Sequence, residues 1–244
     1  MKTQEIFLLL QGLAVGAVIL LAQNAQSQIL YSNALGYNGN FNYNNANPAQ
    51  AASAGNEVVL AGSALSDVIT SFEVQFDLIN SGANPLLGAP TGNEELEVNF
   101  YKNDGSLVSG YASPGSLIWS SGFSTMSAIG LSSFTEGSTL TYNPDISVPK
   151  DFTWIVTFEN VPVGESAGLG LFSEPGGPSV GGNYDDAWIN TGSGWALDVA
   201  SAGNPPMQFG AVLVGVPDNG VPYPGTTVLG LMGACAFLAR RRES

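Results

Sequence analysis

Residues 152–158 read Phe-Thr-Trp-Ile-Val-Thr-Phe and carry the strongest pattern in the chain. The side chains on one face of this segment are Phe152, Trp154, Val156 and Phe158, and those on the other are Thr153, Ile155 and Thr157. Alternation with a period of two is typical of a β-strand with one face buried. Pro149 precedes the segment and Pro162 follows it, and proline limits strands because it cannot donate to a ladder. We predict a strand here, with Trp154 in the core.

The same alternation recurs along the chain. Apolar residues separated by one position are Phe72/Val74/Phe76/Leu78, Leu96/Val98/Phe100, Leu117/Trp119 and Leu140/Tyr142. Turn sequences follow two of these runs, Asn103-Asp104-Gly105 and Asn143-Pro144-Asp145. Further short strands are predicted at residues 169–172, 187–189, 197–199 and 209–214. We expect 31–47, rich in Asn and Gly, to be a surface loop after a short first strand.

No sustained helical period is present between residues 28 and 215. Many short strands separated by Gly, Pro and Asn turns are typical of two antiparallel sheets packed face to face. The sequence therefore predicts an all-β, antiparallel two-sheet sandwich, jelly-roll-like in its connections. A segment of this length can bury a sizeable core as one domain.

The charge of this segment is strongly negative. Of the 20 acidic and six basic residues in the chain, 17 acidic residues but only Lys102 and Lys150 lie between residues 28 and 215, a net charge of about −15. Such a surface repels nucleic acid and anionic lipid, so we expect neither as a partner. It favours solubility and attracts calcium.

Cysteine and histidine usage excludes several kinds of site. The only cysteine is Cys235, near the C-terminus, and the chain has no histidine. The segment 28–215 therefore has no disulfide and depends on its core for stability. Zinc, copper and haem sites built on imidazole or thiolate are excluded, as are Ser-His-Asp and Cys-His catalysis.

The N-terminus has the features of a secretory signal peptide. Met1 and Lys2 supply a short positive region, residues 6–22 are apolar apart from Gln11, and Ala25-Gln26-Ser27 places small residues at the two positions that a signal peptidase recognises. We predict removal of 1–27 and a mature start at Gln28. The alternative is an uncleaved N-terminal anchor, because the apolar run is close to the lower length limit for a membrane span.

The C-terminal segment 216–244 has three parts. It begins with Val216, Pro217, Asp218, Asn219 and Gly220, continues through a Pro/Gly spacer into the apolar run 226–239, and then reaches Arg240, Arg241 and Arg242. As a helix the run would be about 21 Å long, against a hydrocarbon core of about 30 Å, which makes a weak span. The three arginines should stay cytoplasmic and act as a stop to transfer.

These three parts resemble the PEP-CTERM type of sorting signal, and the motif at 216–220 is most similar to its Val-Pro-Asp-Ser-Gly variant. The resemblance implies a bacterial exported protein that is recognised by an exosortase, a transpeptidase-like membrane enzyme, with the tail removed at or near the motif. It covers only residues 216–244. Two alternatives stay open: an ordinary tail anchor, or a buried helix of a soluble domain.

Two groups of polar residues are candidates for calcium binding. One comprises Glu94, Glu95, Glu97 and Asp104, and the other comprises Asn183, Asp185 and Asp186. Carboxylate, amide and carbonyl oxygens in loops are calcium ligands, and the second group is the better candidate. The alternative is a solvated acidic surface. Two carboxylates would suffice for glycoside hydrolysis, but no pair stands out, so we expect no catalytic activity and no required cofactor.

Aromatic residues in the Gly/Asn/Ser-rich region 179–194 and just beyond it suggest a sugar-binding surface. The candidates are Tyr184, Trp188 and Trp195. Exposed rings next to Asp and Asn hold sugars by stacking and hydrogen bonds. The alternative is that Trp188 and Trp195 cap the core, as we expect for Trp119 and Trp154.

The body of the chain also resembles the sandwich domains that often accompany this sorting signal. The residues that carry the resemblance are 100–105, 114–119 and 149–158. It implies an exported structural or interaction domain. The sequence as a whole predicts an acidic all-β protein, sorted toward the outer envelope or the extracellular polysaccharide matrix, with a carbohydrate-binding module as the alternative.

Overall fold

The computed structural model describes residues 27–33, 37–44, 52–80, 94–125, 138–161, 165–172, 178–184, 186–190, 192–199 and 207–218. These residues are all-β, and their main unit is Gln28–Pro217. Within these ranges no helix has the length and apolar character needed to cross a bilayer. The predicted signal peptide lies outside the described residues except for Ser27, as does the predicted C-terminal helix with its arginines.

The described residues form seventeen strands. In chain order they are β1 (Gln28–Ser32), β2 (Tyr37–Asn44), β3 (Ala52–Val59), β4 (Ser66–Asn80), β5 (Glu95–Tyr101), β6 (Leu107–Val108), β7 (Tyr111–Ala112), β8 (Leu117–Ser120), β9 (Ser124–Thr125), β10 (Ser138–Tyr142), β11 (Ile146–Pro149), β12 (Asp151–Glu159), β13 (Glu165–Phe172), β14 (Gly182–Asn183), β15 (Asp186–Asn190), β16 (Trp195–Val199) and β17 (Ala211–Pro217).

These strands form two large antiparallel sheets and a small hairpin. The first sheet has the order β1-β17-β4-β13-β2, with β10 and β11 also paired to β4. The second has the order β16-β15-β3-β12-β5-β8, with β14 on β3 and β9 on β5, and β6 pairs with β7. The predicted antiparallel β-sandwich is thus confirmed within the described part of the chain.

The core lies between the two large sheets. Phe72 of β4 reaches across to the second sheet, with ring centroids 5.2 Å from Phe100 and 5.5 Å from Trp154. Alternate residues of β4, β5 and β12 are buried there, as their period predicts; they include Phe72, Val74, Phe76, Leu96, Val98, Phe100, Phe152, Trp154, Val156 and Phe158. Trp119 is only partly buried, and it packs on Phe100 at the margin.

One prediction about the N-terminal part is wrong. Residues 37–44, which we expected to lie in a surface loop, form β2 and pair with β13, from Asn44 opposite Ala167 to Tyr37 opposite Phe172. An Asn- and Gly-rich segment has little intrinsic preference for a strand, so the strand conformation must come from its backbone pairing with β13. Local composition did not contain that information.

Asn56 joins the second sheet to the segment that leads into β17. It is fully buried, and its Nδ2 donates to the backbone carbonyls of Asp186 and Met207, both at 2.9 Å. Its Oδ1 accepts a hydrogen bond from the Phe209 N–H at 2.8 Å. Every polar atom of this side chain is therefore used, which is what makes its burial tolerable.

Candidate functional site

The outer face of the second sheet, opposite the core, is concave. Tyr101 of β5 and Trp195 of β16 have three strands between them, which would place them about 19 Å apart in a flat sheet. Their ring centroids are nevertheless 6.1 Å apart, in an edge-to-face arrangement. The β15–β16 hairpin must therefore curl over this face, which explains why Thr153 and Ile155 are buried on the side away from the core.

A polar cluster lies on this concave face, and we call it the Glu57 cluster. Its members are Glu57, Asn103, Asp151, Thr153 and Tyr184. Asn103 Nδ2 donates to Glu57 Oε1 and to Asp151 Oδ1, both at 2.7 Å. Thr153 Oγ1 donates to Asn103 Oδ1 at 2.7 Å, and the Tyr184 hydroxyl donates to Asp151 Oδ2 at 2.8 Å. One amide thus bridges two carboxylates.

Strand register brings these residues together. Glu57 on β3 lies opposite Thr153 on β12, and Thr153 lies opposite Tyr101 on β5. Side chains two positions apart in a strand share a face, so Asp151 lies on the same side as Thr153. Asn103, two residues beyond Tyr101, then extends to both carboxylates. The cluster is therefore built from two adjacent strands, β3 and β12, from the loop that follows β5 and from the loop that carries Tyr184.

The environment of Glu57 favours its protonated form. Burial raises the pKa of Glu57 to about 8, with smaller contributions from the charge of Asp151, from a hydrogen bond to Asp151 and from the charge of Asp186. The Trp188 indole acts in the opposite direction and lowers this pKa. A pKa of about 8 means that Glu57 is mainly protonated at neutral pH.

The aromatic residues around the cluster differ in their access to solvent. Tyr184 is 39% exposed, and its hydrogen bond to Asp151, followed by burial, raises its pKa to about 12. Trp195 is half-buried against Tyr101. Trp188 is 0% exposed. Of the three predicted sugar-binding residues, Tyr184 and Trp195 therefore keep some exposed surface and Trp188 does not.

The predicted calcium ligands are distributed differently. Asn183 pairs with Val58 in the second sheet, and Asp186 is buried at the start of β15. Asp185 lies outside the described residues. Among the residues that the structure describes, no three His, Cys, Asp or Glu side chains converge as metal ligands would. Tyr184, which follows Asn183 in the chain, instead donates a hydrogen bond to Asp151.

The other predicted acidic group is divided among separate partners. Glu95 accepts a hydrogen bond from Asn160 at 2.7 Å, and Glu97 accepts one from Ser120 at 2.6 Å. Asp104 accepts a hydrogen bond from the Ser116 N–H at 2.6 Å, and this bond lowers the pKa of Asp104. Each of these three carboxylates therefore stabilises a local turn or strand contact.

The first residues of the predicted sorting motif belong to the fold. Val216 and Pro217 are the last residues of β17, opposite Val68 and Asp67 of β4, and Val216 is only 8% exposed. Asp218 follows the strand and is half-buried. Asn219, Gly220 and Arg240, Arg241 and Arg242 lie outside the described residues.

Sequence reasoning missed the Glu57 cluster. Strand β3, read as Ala-Ser-Ala-Gly-Asn-Glu-Val-Val, has no clear alternation of apolar and polar residues. Asp151 directly precedes the best-patterned segment, 152–158, but its partner Glu57 is 94 positions away. The one available signal was that Asp151 and Thr153 share the polar face of that strand.

Comparison with known proteins identified no family. No family model matches the chain, and no curated protein matches it. Among solved structures, the T13 viral particle of IBDV is similar with 11% identity and a TM-score of 0.22, covering 79% of this chain and 35% of that one. The infectious bursal disease virus Gt strain is similar with 13% identity and a TM-score of 0.22, covering 83% and 34%. The chain spans about a third of those viral chains, and scores this low say nothing about its function.

Proposed function

We propose that the chain is an exported, acidic structural or interaction protein of the cell surface or extracellular matrix. Its C-terminal segment 216–244 directs sorting and is then removed by an exosortase-type membrane enzyme. In this proposal residues 1–27 are a signal peptide, the sandwich is jelly-roll-like, and the short apolar helix with its arginines anchors the chain in the inner membrane until processing.

The position of the last strand carries the proposal. Strand β17 ends at Pro217, inside the Val-Pro-Asp-Asn-Gly motif, and its neighbours in the first sheet are β1 and β4. Loss of the chain beyond this point would leave all seventeen described strands in place. A sorting tail has to be dispensable for the fold in this way.

The composition of the domain supports the same proposal. Its only basic residues between 28 and 215 are Lys102 and Lys150, so it carries a large negative charge that keeps an exported protein soluble. Cys235 is the only cysteine and belongs to the tail. A processed protein would therefore contain no thiol, which gives a direct assay for tail removal.

The test replaces Asp218 by Asn in the full chain, expressed in its native cell. We expect the variant to be inserted normally, because the apolar run and arginines are unchanged, but to keep its tail. A thiol-reactive mass tag, applied after denaturation, should then label Cys235 in the variant and not in the wild type. Asp198→Asn, at an exposed position of β16, is the matched control and should be processed normally.

A simple tail anchor predicts the opposite result. The wild-type protein would then retain Cys235 in the membrane, and Asp218→Asn would change nothing. That outcome would refute the sorting proposal.

Carbohydrate binding is the second candidate function. The observation that favours it is the exposed ring of Tyr184 beside Asp151 and Asn103, with the half-buried Trp195 on the neighbouring hairpin. A ring face next to hydrogen-bonding side chains is the usual arrangement for holding a sugar.

A polysaccharide pull-down with the exported protein tests this candidate. Loss of retention in both Tyr184→Ala and Trp195→Ala would support it, whereas unchanged retention would oppose it. Trp188→Ala is unsuitable as a probe, because Trp188 is fully buried and its loss would disturb the fold. Tyr111→Ala, another exposed tyrosine, is the matched control.

Calcium remains a proposed ligand of Asn183, Asp185 and Asp186. Its binding should raise the free energy of unfolding by mass action, by about 2.7 kcal/mol at 100 times the dissociation constant. Sodium chloride at matched ionic strength controls for the screening of a highly charged domain. An equal effect of the two salts would rule out a specific site.

A further inference from the structure

The last described strand, β17, ends inside the motif at 216–220. On one side of this boundary, Val216 and Pro217 continue the ladder of β17 against β4. On the other side, Asp218 follows the last strand. The first two residues of the motif that a processing enzyme would bind are therefore already paired with β4.

The first sheet holds β17 firmly where the motif begins. Gly215 lies so close to β4 that a Cβ at this position would collide with the Val68 carbonyl oxygen. One residue earlier, a bulge places Thr70 outside the ladder, and its hydroxyl donates to the Val214 carbonyl at 3.2 Å. The side chain of Val216, only 8% exposed, is packed and not presented to solvent.

Enzymes that cut a chain usually bind it as an extended segment, through its backbone edge and its side chains. One backbone edge of Val216 and Pro217 is already paired with β4, and the Val216 side chain is buried. Cleavage before Val216 would also remove the end of a strand that contacts the longest strand of the sheet.

We propose that the tail is cut on the C-terminal side of Pro217, so that Val216 and Pro217 remain in the mature domain as the end of β17. This inference rests on the proposed sorting function. It gives Val216 and Pro217 a role in the fold, as the end of β17, and places the cut beyond them.

Intact-mass measurement of the protein from its native cell tests the position of the cut. We expect a mature C-terminus at Pro217 or later and a mass that excludes Cys235. A C-terminus before Pro217 would overturn this inference and leave the sorting function standing. A mass that includes the three arginines would overturn both.

Two variants of the full chain test this inference. Val216→Ala should lower the unfolding midpoint of the mature protein while tail removal continues at the wild-type position. Asp218→Asn should stop tail removal. Tail removal that is lost or moved in Val216→Ala and unchanged in Asp218→Asn would overturn the inference. If Val216→Ala yields no folded protein, the milder substitution Val216→Thr replaces it. This variant should also have a lower unfolding midpoint, and its tail should be removed at the wild-type position.

Discussion

The two faces of strand β12 are buried to a similar degree by different means. On the inner face Phe152, Trp154, Val156 and Phe158 pack against the first sheet, where rings meet at 5 to 6 Å, as Phe72 and Trp154 do at 5.5 Å. On the outer face Thr153 and Ile155 lie beneath the curled end of the same sheet, next to two carboxylates.

The inner face gains stability from apolar area and close packing, which do not depend on pH. The stability of the outer face depends on the hydrogen bonds of the Glu57 cluster. It also depends on pH, because the pKa of Glu57 is raised in the folded protein. Burial alone therefore does not reveal how a face contributes to stability. Substitutions on the two faces should differ in size and in pH dependence.

Trp154→Ala should have the largest effect. Deletion of a large buried aromatic side chain typically costs about 3–5 kcal/mol, because both the transfer free energy and packing contacts are lost. Denaturant unfolding of the mature protein measures this directly. Trp195→Ala on the outer face is the matched comparison, and we expect about 1–2 kcal/mol because that ring is only half-buried. An equal loss of unfolding free energy in the two variants would show that the two faces do not differ in this way.

Asn56→Ala should have the next largest effect, on the order of 3 kcal/mol. It would leave the Phe209 N–H and two carbonyls without their partner, and each unsatisfied buried group costs about 1–3 kcal/mol. Asn190→Ala, at a half-buried position on the other side of the sheet, serves as the control. A loss below about 1 kcal/mol at Asn56 would mean that water replaces these bonds.

Glu57→Gln should remove a pH dependence of stability on the order of 2 kcal/mol, a value reduced for solvent screening because Glu57 is only partly buried. The pKa of Glu57 is raised from 4.5 to about 8 in the folded state, so the folded protein binds this proton more tightly than the unfolded chain does. The resulting stability is fully present below about pH 4.5 and is lost as the pH rises through about 8. The amide introduced by this substitution stays neutral at every pH, so the variant should be the more stable protein above pH 8.

The free energy of unfolding, measured between pH 4 and pH 9, tests this expectation. Asp151, Asp186 and Tyr184 also act on Glu57, so the informative quantity is the difference between the wild type and the variant. Glu73→Gln on the first sheet is the control and should keep the wild-type slope. If the free energy of unfolding of Glu57→Gln changed with pH as the wild type does, Glu57 would not be the source of this pH dependence.

Tyr184→Phe should have the smallest effect, about 1 kcal/mol at neutral pH. It removes one hydrogen bond to Asp151 from a partly exposed hydroxyl. Combined with Glu57→Gln in a double-mutant cycle, it should show non-additivity, because both side chains act on the same carboxylate. Strict additivity would indicate that Tyr184 and Glu57 are independent and that the Glu57 cluster is not one unit.

The sequence by itself determined the fold class, the absence of thiol chemistry from 28–215 and the phase of its best strands. Alternation in β4, β5 and β12 is a local property, set by residues one and two positions apart, so Phe72, Val98 and Trp154 could be assigned to the core without tertiary information. The sorting tail and the signal peptide stay predictions from sequence.

Only the tertiary structure decided which strands pair and in what register. Residues 37–44 have a loop-like composition and become β2 because β13 pairs with them. Glu57 and Asp151 meet because β3 and β12 pair in one register, and a shift by one residue would turn these side chains to opposite faces. Val216 was predicted to open the C-terminal sorting segment, and it belongs to the end of strand β17. In each case the deciding partner lies tens of residues or more away, beyond the reach of any local pattern.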